Sequence, residues 1–195
     1  FLFGILITIP AGYINDFILK TFETDNEVNN ALLGGFFAGG LVEETLKFLV
    51  LYFYILREKA FDEPMDGIVY GIIVSLGFAT LENYDYVYRL SEYYELQPLE
   101  VAYVRSYTAI PLHALCGVIM GFYFGMYAFV SGGKNLSLAL IVPYVIHGSY
   151  NFLVSFPNYY FIGVLLIALI FSIFLYKNVR ESQKLKKKEY EKKII

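Results

Sequence analysis

Nine polar side chains stand in stretches otherwise built of Leu, Ile, Val, Phe, Ala and Gly: Glu43, Glu44 and Lys47, then Glu82, Asn83 and Asp85, then His113, then His147 and Asn151. A carboxylate can act as general base toward water, an imidazole can bind a metal or orient that water, and amide or imidazole N–H groups can stabilise an oxyanion. Hydrolysis is the economical chemistry for such a set. Two geometries use the same residues, and the sequence leaves both open. In one, Glu82, His113 and His147 bind Zn2+ as a His2Glu set with an open fourth position, and Glu43 takes the water proton. In the other no metal takes part: Glu43 and His113 polarise the water, while His147 and Asn151 stabilise the oxyanion.

Competing protease chemistries find less support. Neither histidine has a partner four residues away, so the zinc signature H-E-x-x-H is absent. Ser75, Ser106 and Ser149 lack the setting of a serine nucleophile, and Tyr84-Asp85 has no second intramembrane aspartate motif to pair with. Cys116 lies one turn from His113 on a glycine-rich face, where a lone cysteine reads as a small packing residue. One cysteine also excludes a disulfide framework within the chain.

These groups must be carried by membrane-spanning elements. The chain has 195 residues, 57% of them hydrophobic and 17% charged, with a mean hydropathy of +0.54. Soluble domains average ~45–50% apolar and ~25% charged, so a soluble enzyme is excluded and an all-α, polytopic transmembrane helix bundle is expected. A helix needs ~20 mostly apolar residues to cross the hydrocarbon, and six stretches qualify, near 1–19, 31–56, 67–90, 105–130, 137–155 and 158–176. Residues 1–176 read as the transmembrane domain and 177–195 as a basic cytoplasmic tail. Eight of the fifteen Lys and Arg fall between Lys177 and Lys193. With that tail inside, the loops at 57–66 and 131–136 are cytoplasmic, and those at 20–30 and 89–105, including Arg105, face outward. Nucleic-acid binding gains nothing from so localised a charge. Asp66 is placed to cap the third span, with Pro64 delaying helix entry. The chain opens on Phe1 inside an apolar run, which reads as a trimmed N-terminus; no signal peptide is evident.

Helical geometry then sorts the polar groups. Glu43 and Lys47 share a face, as do His147 and Asn151, whereas Glu43 and Glu44 diverge by ~100° and cannot form a shared-proton dyad. One glutamate should line the cavity and the other should be held by a neighbouring donor. Glu82, His113 and His147 each lie ~12 Å below the outer surface at helical rise, so three spans deliver polar groups to one level in the outer half of the bundle. Glu43 starts deeper, and a later helix start at Gly34-Gly35 or Gly39-Gly40 would bring it shallower. Gly117, Gly121 and Gly125 continue the His113 stripe at intervals of four, the spacing at which helices pack backbone to backbone.

Several short segments together resemble the PrsW family of intramembrane proteases. They are Glu43-Glu44-Thr45-Leu46-Lys47; Phe61-Asp62-Glu63-Pro64-Met65-Asp66-Gly67 with Tyr70-Gly71; Leu76-Gly77-Phe78-Ala79-Thr80-Leu81-Glu82-Asn83; His113 with Gly117; and His147-Gly148-Ser149-Tyr150-Asn151. The motif-bearing core extends over about 31–155. The related CAAX-prenyl endopeptidases and bacteriocin-processing proteins have Glu-Glu, His and His-x-x-x-Asn motifs that correspond to Glu43-Glu44, His113 and His147-x-x-x-Asn151. That branch usually carries an Arg one residue after the position of Lys47, so the resemblance favours PrsW and weakens the case for a prenylated substrate. It implies a multi-pass endopeptidase of the cell membrane. Its substrate would be a membrane-anchored protein, in bacterial relatives an anti-sigma factor cut on its outer side. It further implies Glu43 as catalytic carboxylate, Glu44, Glu82, His113, His147 and Asn151 in the site, Lys47 and Asn83 in support, and zinc by analogy.

Simpler readings compete. Glu43 and Lys47 could be a neutralising ion pair that fixes register, and Tyr84, Tyr86 and Tyr88 an aromatic belt. A proton- or cation-coupled transporter would use the same Glu/His cluster as a relay, but it requires a polar path to both faces. The sequence puts such residues mainly in the outer half.

Overall fold

The computed structural model describes residues 1–93, 95–130 and 132–194, with backbone alone for Tyr93 and residues 185–194. No strand occurs among the described residues, as expected where every backbone polar group must be satisfied within its own segment. The helices are α1 (Leu2–Phe22), α2 (Glu27–Leu32), α3 (Glu44–Phe53), α4 (Pro64–Tyr84), α5 (Ser91–Tyr93), α6 (Pro98–Tyr107), α7 (Ala109–Phe129), α8 (Lys134–Val154) and α9 (Tyr160–Ile194). Between α2 and α3 the chain stays helical over Leu33–Glu43, but with the wider π winding, and a second π stretch, Asp85–Leu90, extends α4.

Five helices among the described residues are long and apolar enough to cross a membrane: Leu2–Phe22, Pro64–Leu90, Pro98–Phe129, Lys134–Val154 and Tyr160–Lys184. The sixth expected stretch is helical too, but Glu43, Glu44 and Lys47 remove it from the apolar set. Its three charged side chains are buried by neighbouring helices, while Phe37, Leu41 and Phe53 on its other face are exposed. Nor does it begin at a glycine pair: helix starts at Glu27, capped by Asn26 accepting from the Asn29 N–H at 3.0 Å.

At the centre lies α7, eleven of whose 21 residues are buried. Its glycine stripe meets that of α4. A Cβ on Gly121 would lie 2.7 Å from Ile68 Cα and overlap the Gly67 carbonyl, and one on Gly71 would overlap the Gly117 carbonyl. Only hydrogen at these positions lets the two backbones touch. On the other flank Gly4 of α1 abuts Gly77 of α4, where Thr8 Oγ1 donates to the Phe78 carbonyl at 3.3 Å. The outer walls are thinner. Only Gly4 and Ala11 are buried in α1, and no residue of α6 is buried.

Helix α4 begins at Pro64, two residues before the expected cap Asp66, and its N-cap is Glu63. Pro64 occupies the first turn, where its missing N–H costs nothing, and Asp66 accepts from the backbone N–H groups of Asp62 and Glu63, each at 3.0 Å. Helix α9 passes residue 177 without a break, so the expected tail begins as helix; its side chains from 185 onward lie outside the described residues.

Candidate active site

Five elements carry the polar cluster: the π segment with α3, then α4, α7 and α8, with α6 alongside. Lys47 is fully buried and is the hub. Its Nζ donates to Glu44 Oε1 at 2.7 Å, reaches His113 Nδ1 at 3.0 Å, lies 3.8 Å from Glu43 Oε2, and sits 4.3 Å from the centre of the Phe78 ring. The ion pair read between Glu43 and Lys47 is therefore made chiefly with Glu44, three residues away instead of four. An ammonium only donates, so His113 Nδ1 accepts and the proton of a neutral His113 sits on Nε2. That nitrogen is 2.9 Å from Glu82 Oε2.

The second histidine has the opposite assignment. His147 Nδ1 lies 2.7 Å from Glu44 Oε1, a carboxylate that can only accept, so Nδ1 carries the proton and Nε2 keeps its lone pair. Nε2 is 3.9 Å from Glu43 Oε2. The two imidazole rings stand edge to face with centres 5.0 Å apart. Glu82, His113 and His147, read from sequence as lying at one depth, are thus joined through direct contacts.

The adjacent glutamates part company as their 100° divergence requires. Glu44 is fully buried and bound by Lys47 and His147. Glu43 lines a cavity of about 600 Å3 that also reaches His113, His147, Asn151, Glu82 and Arg105. Its Oε1 receives a long 3.4 Å bond from Asn15 of α1, and its buried Oε2 accepts no hydrogen bond among the described residues. Glycine makes room for the opposite wall: a Cβ on Gly39 would overlap the Asn151 amide nitrogen, and Gly35 and Gly40 both abut Gly148 of α8.

The cavity extends past Glu100, Val101 and Val104 of α6. On its other side the cluster is closed by an apolar core of Val50, Leu51, Phe61, Met120, Phe124 and neighbours. This plug interrupts the polar path a transporter would need.

The structure places two further residues in the cavity that sequence reasoning missed. Arg105 Nη2 donates to Glu82 Oε2 at 2.6 Å, its Nε donates to Asn83 Oδ1, and its guanidinium stacks on Tyr86 at 3.8 Å. Read from sequence, it was an outer-loop cation; its position seven residues into a run that opens with Pro98 was the available signal. Asn15 sits in the first span beside Asp16, and that polar pair was the signal. Asn83 Nδ2 donates to the Ala79 carbonyl at 2.7 Å. Asp85 pairs with exposed Arg89 at 2.6 Å, and Cys116 is buried with its Sγ 3.8 Å from the Pro143 carbonyl.

Donor atoms of Glu43, His113 and His147 lie within 4.8 Å of one another. Two imidazoles, one carboxylate and an orphaned buried oxygen fit a zinc ion, and the Glu44–His147 bond is the kind of support that orients a metal-binding imidazole. This group has Glu43 where the sequence reading put Glu82; Glu82 lines the same cavity and is bonded to His113 and Arg105. Because both His113 nitrogens are engaged, metal binding would exchange one of its contacts, with Lys47 or with Glu82.

A family model described as PrsW family intramembrane metalloprotease matches residues 1–176. Among curated proteins, a protease PrsW from Bacillus subtilis (strain 168) is 38% identical over 158 residues, covering 80% of this chain and 67% of the relative. Those from Geobacillus kaustophilus and Oceanobacillus iheyensis are 36% and 33% identical, covering 87% and 94% of this chain and 72% and 81% of the relatives. No solved structure matches the chain.

Proposed function

Because the chain belongs to the PrsW family of intramembrane metalloproteases, we propose that it hydrolyses a peptide bond in or beside the membrane segment of a membrane-anchored protein, with Glu43 taking the proton of the attacking water. The observation that carries this reading is the Glu43 carboxylate: buried, facing the cavity, and left with an oxygen that accepts no hydrogen bond. A base needs an available lone pair within reach of water, and Glu43 alone of the buried pair with Glu44 offers one to the cavity.

His147, oriented through Nδ1 by Glu44, turns its Nε2 lone pair toward the same space and can hold the water's second hydrogen. The Asn151 amide lines the opposite wall as an oxyanion donor. Lys47 balances the charge of the two glutamates without reaching the cavity. In the alternative, metal-bound version, His113, His147 and one Glu43 oxygen would hold zinc in place of those water contacts; the metal would supply Lewis-acid polarisation of the water and the carbonyl, and the other Glu43 oxygen would remain to take the proton. The tail is cytoplasmic in this reading and the cavity opens outward, so the cut falls on the outer side. A regulatory protein of the anti-sigma type is the first substrate to try.

The test is cleavage of a panel of single-span substrates in proteoliposomes by wild type, Glu43→Gln and His113→Ala, with metal measured in the same samples. Loss of about 100-fold or more in Glu43→Gln is expected. Undiminished cleavage by that variant would remove Glu43 from the mechanism. Stoichiometric zinc that disappears in His113→Ala would establish the metal-bound version, and full activity without metal the glutamate–water version.

A further inference from the structure

Helix α6 has no buried residue, yet it delivers a charged group to the polar cluster. Arg105 and Glu82 are only 14% and 15% exposed at their side chains. Two guanidinium nitrogens bind Glu82 and Asn83, adjacent residues of α4, while the Tyr86 ring covers the guanidinium plane. A forked donor held at two points and stacked at its face has one orientation. Glu82 Oε2, which receives the Arg105 bond, is also the oxygen that faces His113 Nε2. From Arg105 the contacts therefore run without a gap to Glu82, His113, Lys47, Glu44 and His147.

We infer that Arg105 is a positioning residue of the hydrolytic site: by anchoring Glu82 it holds His113 with its proton on Nε2 and its ring fixed against the cavity. The inference rests on the proposed protease reading. The physical need is plain. Lys47 fixes the other nitrogen as an acceptor, so the Nε2 proton must find an acceptor too, and the carboxylate that supplies it stays in place only while its charge is balanced and its rotamer locked. Without Arg105, Glu82 is free to swing toward the open side of the cavity, leaving His113 tethered at one end.

The chain has two histidines, which makes a direct readout available. Nitrogen NMR of histidine-labelled protein in detergent micelles, assigned with His147→Asn, distinguishes the two ring tautomers. Wild type should show one histidine protonated at Nε2 and one at Nδ1. In Arg105→Ala the His113 signals should shift or broaden while those of His147 stay, and Arg105→Lys, which retains the charge and one bond to Glu82, should restore part of the pattern. On the best-cleaved member of the substrate panel, Arg105→Ala should lose about 10–100-fold in kcat with little change in KM. An unchanged His113 spectrum, a loss confined to KM, or equal disturbance of both histidines would overturn the inference. Undiminished cleavage by Glu43→Gln would instead strike the hydrolytic reading beneath it.

Discussion

The floor of the cavity and its outer wall are built on opposite terms. Glu44, Lys47 and His147 are at most 2% exposed, and each is bonded to at least one of the others. The wall, α6, buries nothing, shows Leu99, Tyr103 and Tyr107 to its surroundings, and is fastened by the Arg105 bonds. The difference teaches where rigidity is invested. Charges taken out of water persist only with their partners in place, so the floor admits one arrangement, while a wall without a packed core can yield at low cost to let a peptide segment in.

The strongest way to break this contrast is to empty the floor. Lys47→Ala strands a fully buried carboxylate and should lower stability by about 3–5 kcal/mol, read as the shift in thermal unfolding of the purified protein in detergent. Next comes the seam that supports it. Gly121→Val puts a branched Cβ against the Gly67 carbonyl and should cost about 1–3 kcal/mol in the same assay. Glu43→Gln sharpens the comparison from the other side, because it neutralises a buried carboxylate that has an unbonded oxygen. Stability should hold or rise by up to about 1 kcal/mol while cleavage is lost. The smallest effect belongs to the wall. Tyr103→Ala, at a side chain 66% exposed, should change stability by less than about 0.5 kcal/mol. A large loss there would show that α6 is packed against something more than its neighbours in this chain.

Much of this was legible in the sequence because membranes make polar residues conspicuous. The divergence of Glu43 from Glu44 and the common level of Glu82, His113 and His147 follow from helical rise and rotation alone. Partner choice does not. Lys47 could reach a carboxylate three or four residues back, and the position of His113 and the Phe78 ring decides for Glu44. Arg105 was hidden by its place near a predicted span boundary, where a cation is ordinarily solvated, and Asn15 by its place beside Asp16 near the end of the first span. Six spans became five apolar ones because the second carries its charges into the interior, where protein replaces lipid.

The π winding of Leu33–Glu43 was hidden too, although its cue was printed in the residues. Gly34 and Gly39, like Gly35 and Gly40, are separated by five positions. In an α-helix, residues so spaced face about 140° apart, and Gly35 and Gly40 could not both rest on Gly148 as they do. In a helix bonded from i to i+5 they fall on one side. The interval between glycines thus spells out the pitch of the helix, and doubled glycines five apart just ahead of a buried acid become a cue to a wide turn in an unfamiliar sequence.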